Sequence, residues 1–170
     1  MNIKEVALKE FQEIYKEQYQ KLYLFLLRLT GTKQDAEDMV QETFYQAFLH
    51  IGQFEGRCSI YTWLCQIGKN RWYHECKKRK TLPWEEDIIE ETFISDSNIE
   101  ESILQKEQQH LLEQAIYRLP ETYRDVLCLH IYGDISLKEI SAMYGKSESW
   151  ACVIYHRAKE KIKKSLEEGK

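Results

Sequence analysis

Proline and glycine are scarce, with two prolines and seven glycines in 170 residues. That removes the punctuation a turn-rich fold needs and makes long helices the default reading. No apolar run approaches the roughly 18 residues of a membrane helix. "LYLFLLRLT" is short and interrupted by Arg28, so no direct membrane insertion is expected. The start, "MNIKEVALKEF", carries no cleavable targeting pattern. Five cysteines are an odd number at irregular spacing, which points to a reduced, cytoplasmic protein. No nucleophile–base pair and no phosphate-binding glycine loop is present, so no enzyme and no cofactor is expected. A net charge of −4 excludes wholesale nucleic-acid binding but hides local asymmetry.

That asymmetry divides the chain. Residues 1–80 carry 13 basic and 10 acidic residues. Residues 81–102, "TLPWEEDIIEETFISDSNIEES", carry eight acids and no lysine or arginine. Residues 137–170 carry eight basic and five acidic residues. The expectation is an all-α chain: a module over 1–80, an acidic flexible linker over 81–102 that begins near Pro83, and a second module over 103–170. The length suits one domain or two small ones.

Helical periodicity in the first module predicts helices over 4–29, 32–51 and 60–80. The inward faces are Val6, Phe11, Ile14, Tyr15, Leu22, Phe25, Leu26 and Leu29; then Ala36, Met39, Val40, Phe44, Ala47 and Phe48; then Ile60, Trp63, Leu64, Ile67 and Trp72. Thr32 and Ser59 are N-cap candidates. In the second module, Asn98 with Glu101 is a candidate capping box for a helix over 98–118, with Ile103, Leu104, Leu111, Leu112, Ala115, Ile116 and Leu119 inward. Pro120 suits the first turn of a helix to 131.

The stretch "DISLKEISAMYGKSESWACVIYHRAKEKI" comes next. Ser136 with Glu139 forms an S-x-x-E capping box, Gly145 provides a stop, and Ser147 caps the following helix. Helices over 137–144 and 148–166 joined by a short glycine turn form the helix-turn-helix pattern, whose second helix enters the major groove. Ile140, Tyr144, Ala151 and Ile154 would pack the two helices together. Ser149, Trp150, Cys152, Val153, His156 and Arg157 supply the exposed face. Arg157, Lys159, Lys161, Lys163 and Lys164 suit phosphates. A helical hairpin with a solvated basic tail is the plainer reading of the same residues.

Two strings in the first module stand out. "DAEDMVQETFYQAF", residues 35–48, sets Asp35, Glu37, Asp38 and Glu42 beside an apolar face. "WLCQIGKNRWYHECKKRK" places Lys69, Arg71 and Lys77 to Lys80 among Trp63, Trp72 and Tyr73. Cations interleaved with aromatics are the composition of a single-strand binder, where charge tracks the backbone and rings stack on unpaired bases. A basic helix end complementing its own dipole accounts for "KKRK" but not for Lys69 and Arg71. Cys58, Cys65, His74 and Cys76 do not have the spacing of a metal knuckle, so no metal is expected.

Taken together, these strings resemble the sigma-70 family of bacterial transcription initiation factors, in its small two-domain extracytoplasmic-function group. "AEDMVQETFYQAF" is similar to the family's polymerase-binding helix and "YTWLCQIGKN" to its WL-x-x-I-x-x-N signature. "RLPETYRDVLCLH" and "GKSESWACVIYHRAKEKI" resemble the start and the recognition helix of its C-terminal domain. The resemblance covers roughly residues 8–80 and 105–166. It implies partners: core RNA polymerase, promoter DNA and an anti-sigma factor, often membrane-anchored. It implies that Asp38, Gln41, Glu42 and Phe44 dock on polymerase. Phe54, Gly56, Arg57, Ser59, Trp63, Lys69, Asn70, Arg71, Tyr73 and His74 would bind the melted −10 element. Lys146, Ser147, Ser149, Trp150, Cys152, Val153, His156, Arg157 and Lys159 would bind the −35 duplex. The linker would thread toward the polymerase active-site and RNA-exit region. The chain departs from the family pattern at His74, often Asp, and at Cys152, often Lys or Arg.

Two other classes compete: a one-component helix-turn-helix regulator that binds a palindrome as a dimer without polymerase, and a purely structural helical adaptor. A sensor module needs an apolar pocket, whereas the first module mixes basic residues with aromatics and an acidic string.

Overall fold

Four hydroxyls set the starts of four helices. In a computed structural model describing residues 3–80 and 99–169, Thr32 Oγ1 accepts the Asp35 N–H at 3.0 Å and Ser59 Oγ accepts that of Thr62 at 3.2 Å. Ser136 Oγ accepts the Glu139 N–H at 3.1 Å and Ser147 Oγ that of Trp150 at 3.2 Å. Each satisfies a backbone donor that the first turn leaves without an intrahelical partner. The elements are α1 (Ile3–Thr30), α2 (Lys33–His50), a 3-10 turn (Ile51–Gln53), α3 (Ile60–Arg79), α4 (Ile99–Tyr117), α5 (Glu121–Ile131), α6 (Leu137–Met143) and α7 (Glu148–Glu168). No strand occurs among the described residues. The expected linker lies almost wholly outside them, as do Pro83 and the Asn98 cap. Pro120 stands at the cap of α5, one residue before its first turn.

The helices form two clusters. In the first, Leu22, Phe25, Leu26 and Leu29 of α1 pack on Ala36, Met39, Val40, Phe44 and Ala47 of α2 and on Leu64, Cys65 and Trp72 of α3. Gly68 of α3 lets these helices approach closely. A Cβ there would stand 2.9 Å from Thr43 Oγ1 and 3.1 Å from Leu26 Cδ2. In the second, Ala115 and Ile116 of α4, Leu119 of the turn that follows it and Val126 to Leu129 of α5 bury with Ile135, Ile140, Ala151, Ala158 and Ile162. The turn from α6 to α7 passes through Gly145 at φ +65°, which favours glycine.

Three details differ from the expected faces. Phe48 of α2 is exposed although its ring stands edge-on to that of Phe11 on α1, with centroids 5.2 Å apart, because the core beneath this end of α2 offers it one neighbouring ring and no enclosing layer. Ile103 and Leu104 of α4 are exposed, since only the C-terminal turns of α4 reach the core formed with α5 and α7, and Leu111 is exposed because it points away from that core between the half-buried His110 and Leu112. Tyr15 is half open to solvent.

The two clusters also do not stand apart, as a pair of separately packed modules would. Helix α3 lies against α5 and α6. The contact carries Lys69 with Asp125, Thr62 with Glu139, Tyr61 with the Gly133 carbonyl and Tyr73 with Cys128.

Candidate nucleic-acid and polymerase interface

On α2, Asp38 and Gln41 face solvent. The Gln34 side-chain amide donates to both Asp38 oxygens at 3.4 Å. Glu42 is half-buried. Its Oε1 accepts from Arg71 Nη2 at 2.7 Å and from Gln46 Nε2 at 3.0 Å, which ties the acidic string to α3. Phe44 is only 4% exposed, with its ring 4.6 Å from that of Tyr15 and 6.3 Å from that of Phe11. It therefore supports this face from beneath. Beside the acids stand exposed apolar side chains that the periodicity did not single out as surface: Tyr45, Phe48, Leu49 and Ile51. Contiguous exposed apolar residues rimmed by charge are a docking signature. The signal available in the sequence was Tyr45 and Leu49, apolar residues lying off the helix stripe, whereas Phe48 lies on it.

The loop before α3 sets Phe54 against Trp63, with ring centroids 5.3 Å apart. Gly56 has φ +73°. Arg57 is exposed and pairs with Glu55 at 2.8 Å. Ser59 serves as the cap described above. Along α3, Asn70 and His74 are exposed, as are Lys77 and Lys78. Arg79 reaches Asp35 and Glu75, each at 2.9 Å.

Lys69 and Tyr73 have different surroundings. Lys69 is fully buried, with Nζ 2.5 Å from Asp125 Oδ1. The aligned hydrogen bond from this ammonium goes to Asn70 Oδ1 at 2.8 Å, so the Asp125 contact is one of charge rather than of ideal bond geometry. Burial lowers the Lys69 pKa from its ordinary value, and Asp125 opposes that shift. Tyr73 is buried with Oη 3.2 Å from Cys128 Sγ, and burial raises its pKa.

In the second cluster, Ser149, Cys152, Val153, His156 and Arg157 are all exposed, as are Lys146, Ser147 and Lys159. Trp150 is half-buried, its ring 5.4 Å from that of Tyr144, and belongs partly to the α6–α7 packing. His156 Nε2 lies 3.3 Å from Glu160 Oε1, both well exposed. Lys159 Nζ sits 4.7 Å from the Tyr155 ring centre.

Among the described residues no cluster of three or more His, Cys, Asp or Glu side chains can hold a metal ion. Cys65 and Cys76 are buried, and burial raises both thiols, Cys76 to about 12. No helix of the described residues is long and apolar enough to cross a membrane.

The family model for Sigma-70 region 2 matches residues 14–81, and that for Sigma-70, region 4 matches residues 115–164. The ECF RNA polymerase sigma factor SigM of Bacillus subtilis (strain 168) is 29% identical over 158 residues, covering 92% of this chain and 95% of that protein. SigW of the same organism is 27% identical over 169 residues, covering 94% and 89%. Two solved structures share the fold. The sigma factor RpoE in complex with the anti-sigma factor NepR from Bartonella quintana has a TM-score of 0.58 at 19% identity, covering 94% of this chain and 98% of that one. CnrH in complex with the cytosolic domain of CnrY has a TM-score of 0.55 at 21% identity, covering 96% and 91%. The chain belongs to the sigma-70 family, in its extracytoplasmic-function group, and is a non-catalytic transcription initiation factor.

Proposed function

We propose that this chain binds core RNA polymerase and directs it to promoters, with α7 reading the −35 duplex and the α2–α3 unit holding the melted −10 strand. The observation that carries the DNA half is the start of α7. Ser149, Cys152, Val153 and His156 fall at i, i+3, i+4 and i+7, the spacing of one helical stripe, yet all are exposed. A stripe that is not core, at the start of a capped helix reached through a short helix and a glycine turn, suits the recognition helix of a helix-turn-helix. Arg157 and Lys159 follow on the same helix for phosphates. On the other unit, Phe54 and Trp63 offer rings to unstacked bases, and Asn70, His74, Lys77 and Lys78 line the exposed side of α3. Asp38 and Gln41, flanked by Tyr45 and Leu49, form the polymerase-docking face. An anti-sigma factor is the proposed regulator, as NepR is the partner in the RpoE complex.

The test is run-off transcription by core polymerase with and without the chain, alongside Asp38→Arg. Asp38 is exposed and bonded only locally to Gln34. Charge reversal should leave the circular dichroism spectrum intact while weakening polymerase binding and lowering transcript yield. Full transcription by a folded Asp38→Arg variant would remove the docking role. Promoter binding as a dimer without polymerase would indicate a one-component regulator instead.

A further inference from the structure

Helix α7 presents three kinds of surface. At about 100° per residue, Ala151, Ala158 and Ile162 share one side, and all three are buried. Ser149, Val153, His156 and Glu160 fall along the line opposite, and all four are exposed. Lys159 and Lys163 flank that line on one side, and Arg157 and Lys164 on the other. An uncharged line between two rows of cations suits a duplex groove, with base edges on its floor and phosphates along both walls. Glu160 ends the uncharged part, its Oε1 3.3 Å from His156 Nε2. From Ser149 to His156 the line runs roughly 10 Å, the rise of about three base pairs.

The composition of this line decides what it can read. In the major groove guanine is taken by the donors of Arg or Lys, and adenine by the side-chain amide of Asn or Gln. None of these residue types stands at Ser149, Val153 or His156, nor at Cys152 beside them. The cations are displaced to the flanks, where phosphates lie. The Ser149 hydroxyl can donate or accept, so it ranks bases weakly. Val153 is the distinctive member of the line. It is 45% exposed, and a β-branched residue is a weak helix former, so it serves neither the core nor the helix. The C5-methyl of thymine is the one apolar group among the features that base pairs present in the major groove.

We propose that Val153 is a specificity-determining residue of α7, packing on the C5-methyl of a thymine in the −35 duplex. This rests on the reading of α7 as the recognition helix and adds the chemical feature that is read. Discrimination then comes from withdrawing a methyl group from water, a contact of shape rather than of hydrogen bonds. Burial of one such group amounts to about fourfold in affinity.

The test uses the full chain bound to core RNA polymerase. The preferred −35 element is first selected from a promoter library randomised across that region. Each thymine of the selected element, on either strand, is then replaced singly by uracil in a fluorescein-labelled promoter. Uracil lacks the C5-methyl and keeps every hydrogen-bonding group. One replacement should weaken binding about fourfold, and the others should leave it unchanged. With Val153→Ala, that same replacement should cost less than about twofold, because the methyl has lost its partner. Val153 is exposed, so this variant should keep its circular dichroism spectrum, and the uracil series on the wild-type chain stands without it. A selected element without thymine, or one in which no uracil replacement matters, would overturn the methyl contact; α7 would remain the reader if His156→Ala still changed the selected element. An equal uracil penalty in the wild type and in Val153→Ala would overturn the assignment to Val153. A library that yields no −35 preference, with Val153→Ala and His156→Ala both indifferent, would overturn the reading of α7 itself.

Discussion

Glu113 makes the stability of the second cluster depend on pH. This carboxylate on α4 is 3% exposed, and its Oε1 accepts from both the Tyr132 hydroxyl and Gln109 Nε2, the latter at 2.7 Å. Burial raises its pKa from 4.5 to about 7, and the two hydrogen bonds only partly offset that. A carboxylate whose folded pKa is raised costs nothing below its unfolded value. The penalty accumulates as pH rises from about 4.5 to about 7 and is constant above. At about 1.4 kcal/mol per pH unit the gap amounts to roughly 3 kcal/mol at pH 8 and to less than about 1 kcal/mol at pH 5. In Glu113→Gln the side-chain carbonyl can accept the same two hydrogen bonds, and no charge has to be buried. The variant should therefore raise the melting temperature of this cluster by about 10 °C or more at pH 8 and by only a few degrees at pH 5, given roughly 4–8 °C per kcal/mol for a unit of this size. Thermal melts of both proteins at the two pH values, followed by circular dichroism at 222 nm, read this out. An equal gain at both values, or none at pH 8, would refute the claim that desolvation of this carboxylate is the cost being relieved.

Two further outcomes follow from packing and exposure. Gly68→Ala should destabilise the first cluster by about 1–3 kcal/mol through overpacking against Thr43 and Leu26, against a helix-propensity gain of about 1 kcal/mol; an unchanged melting temperature would mean that α3 does not need the close approach. Cys152→Arg should leave the melting temperature nearly unchanged, because Cys152 is exposed, and should shift −35 preference toward guanine at one position by about 1–3 kcal/mol; a selected promoter library with the same preference for both proteins would put another face of α7 in the groove.

Local chemistry was the most legible part of this chain. The caps at Thr32, Ser59, Ser136 and Ser147 and the stop at Gly145 depend on residues within one turn, so sequence neighbours carry all the information. The buried set of α2 from Ala36 to Ala47 was legible for the same reason. Periodicity identifies the residues that share a face but not where that face runs out of partner. Ile103 and Leu104 hold inward spacing on a stretch of α4 that overhangs the core. On α2, the same limit hid the exposure of Phe48. The exposed stripe of α7 was legible as a set, and the fold then separated Trp150, which packs on Tyr144, from the rest.

Lys69 illustrates the harder limit. In its own string it looks like the first of six solvent-facing cations, and nothing within a turn indicates burial. The indication lies in α5, where Asp125, Val126, Leu127, Cys128 and Leu129 are five consecutive buried residues. Five in a row pass right round a helix, so α5 must be covered on more than one side. Helix α7 covers one side of α5. The opposite side needs a second neighbour, and because it presents Asp125 that neighbour must bring a cation or a donor set. Lys69 on α3 brings the cation and Tyr144 the donor. The joining of the two clusters is therefore written in the acid of "RDVLCLH", a string whose resemblance concerns the second module alone.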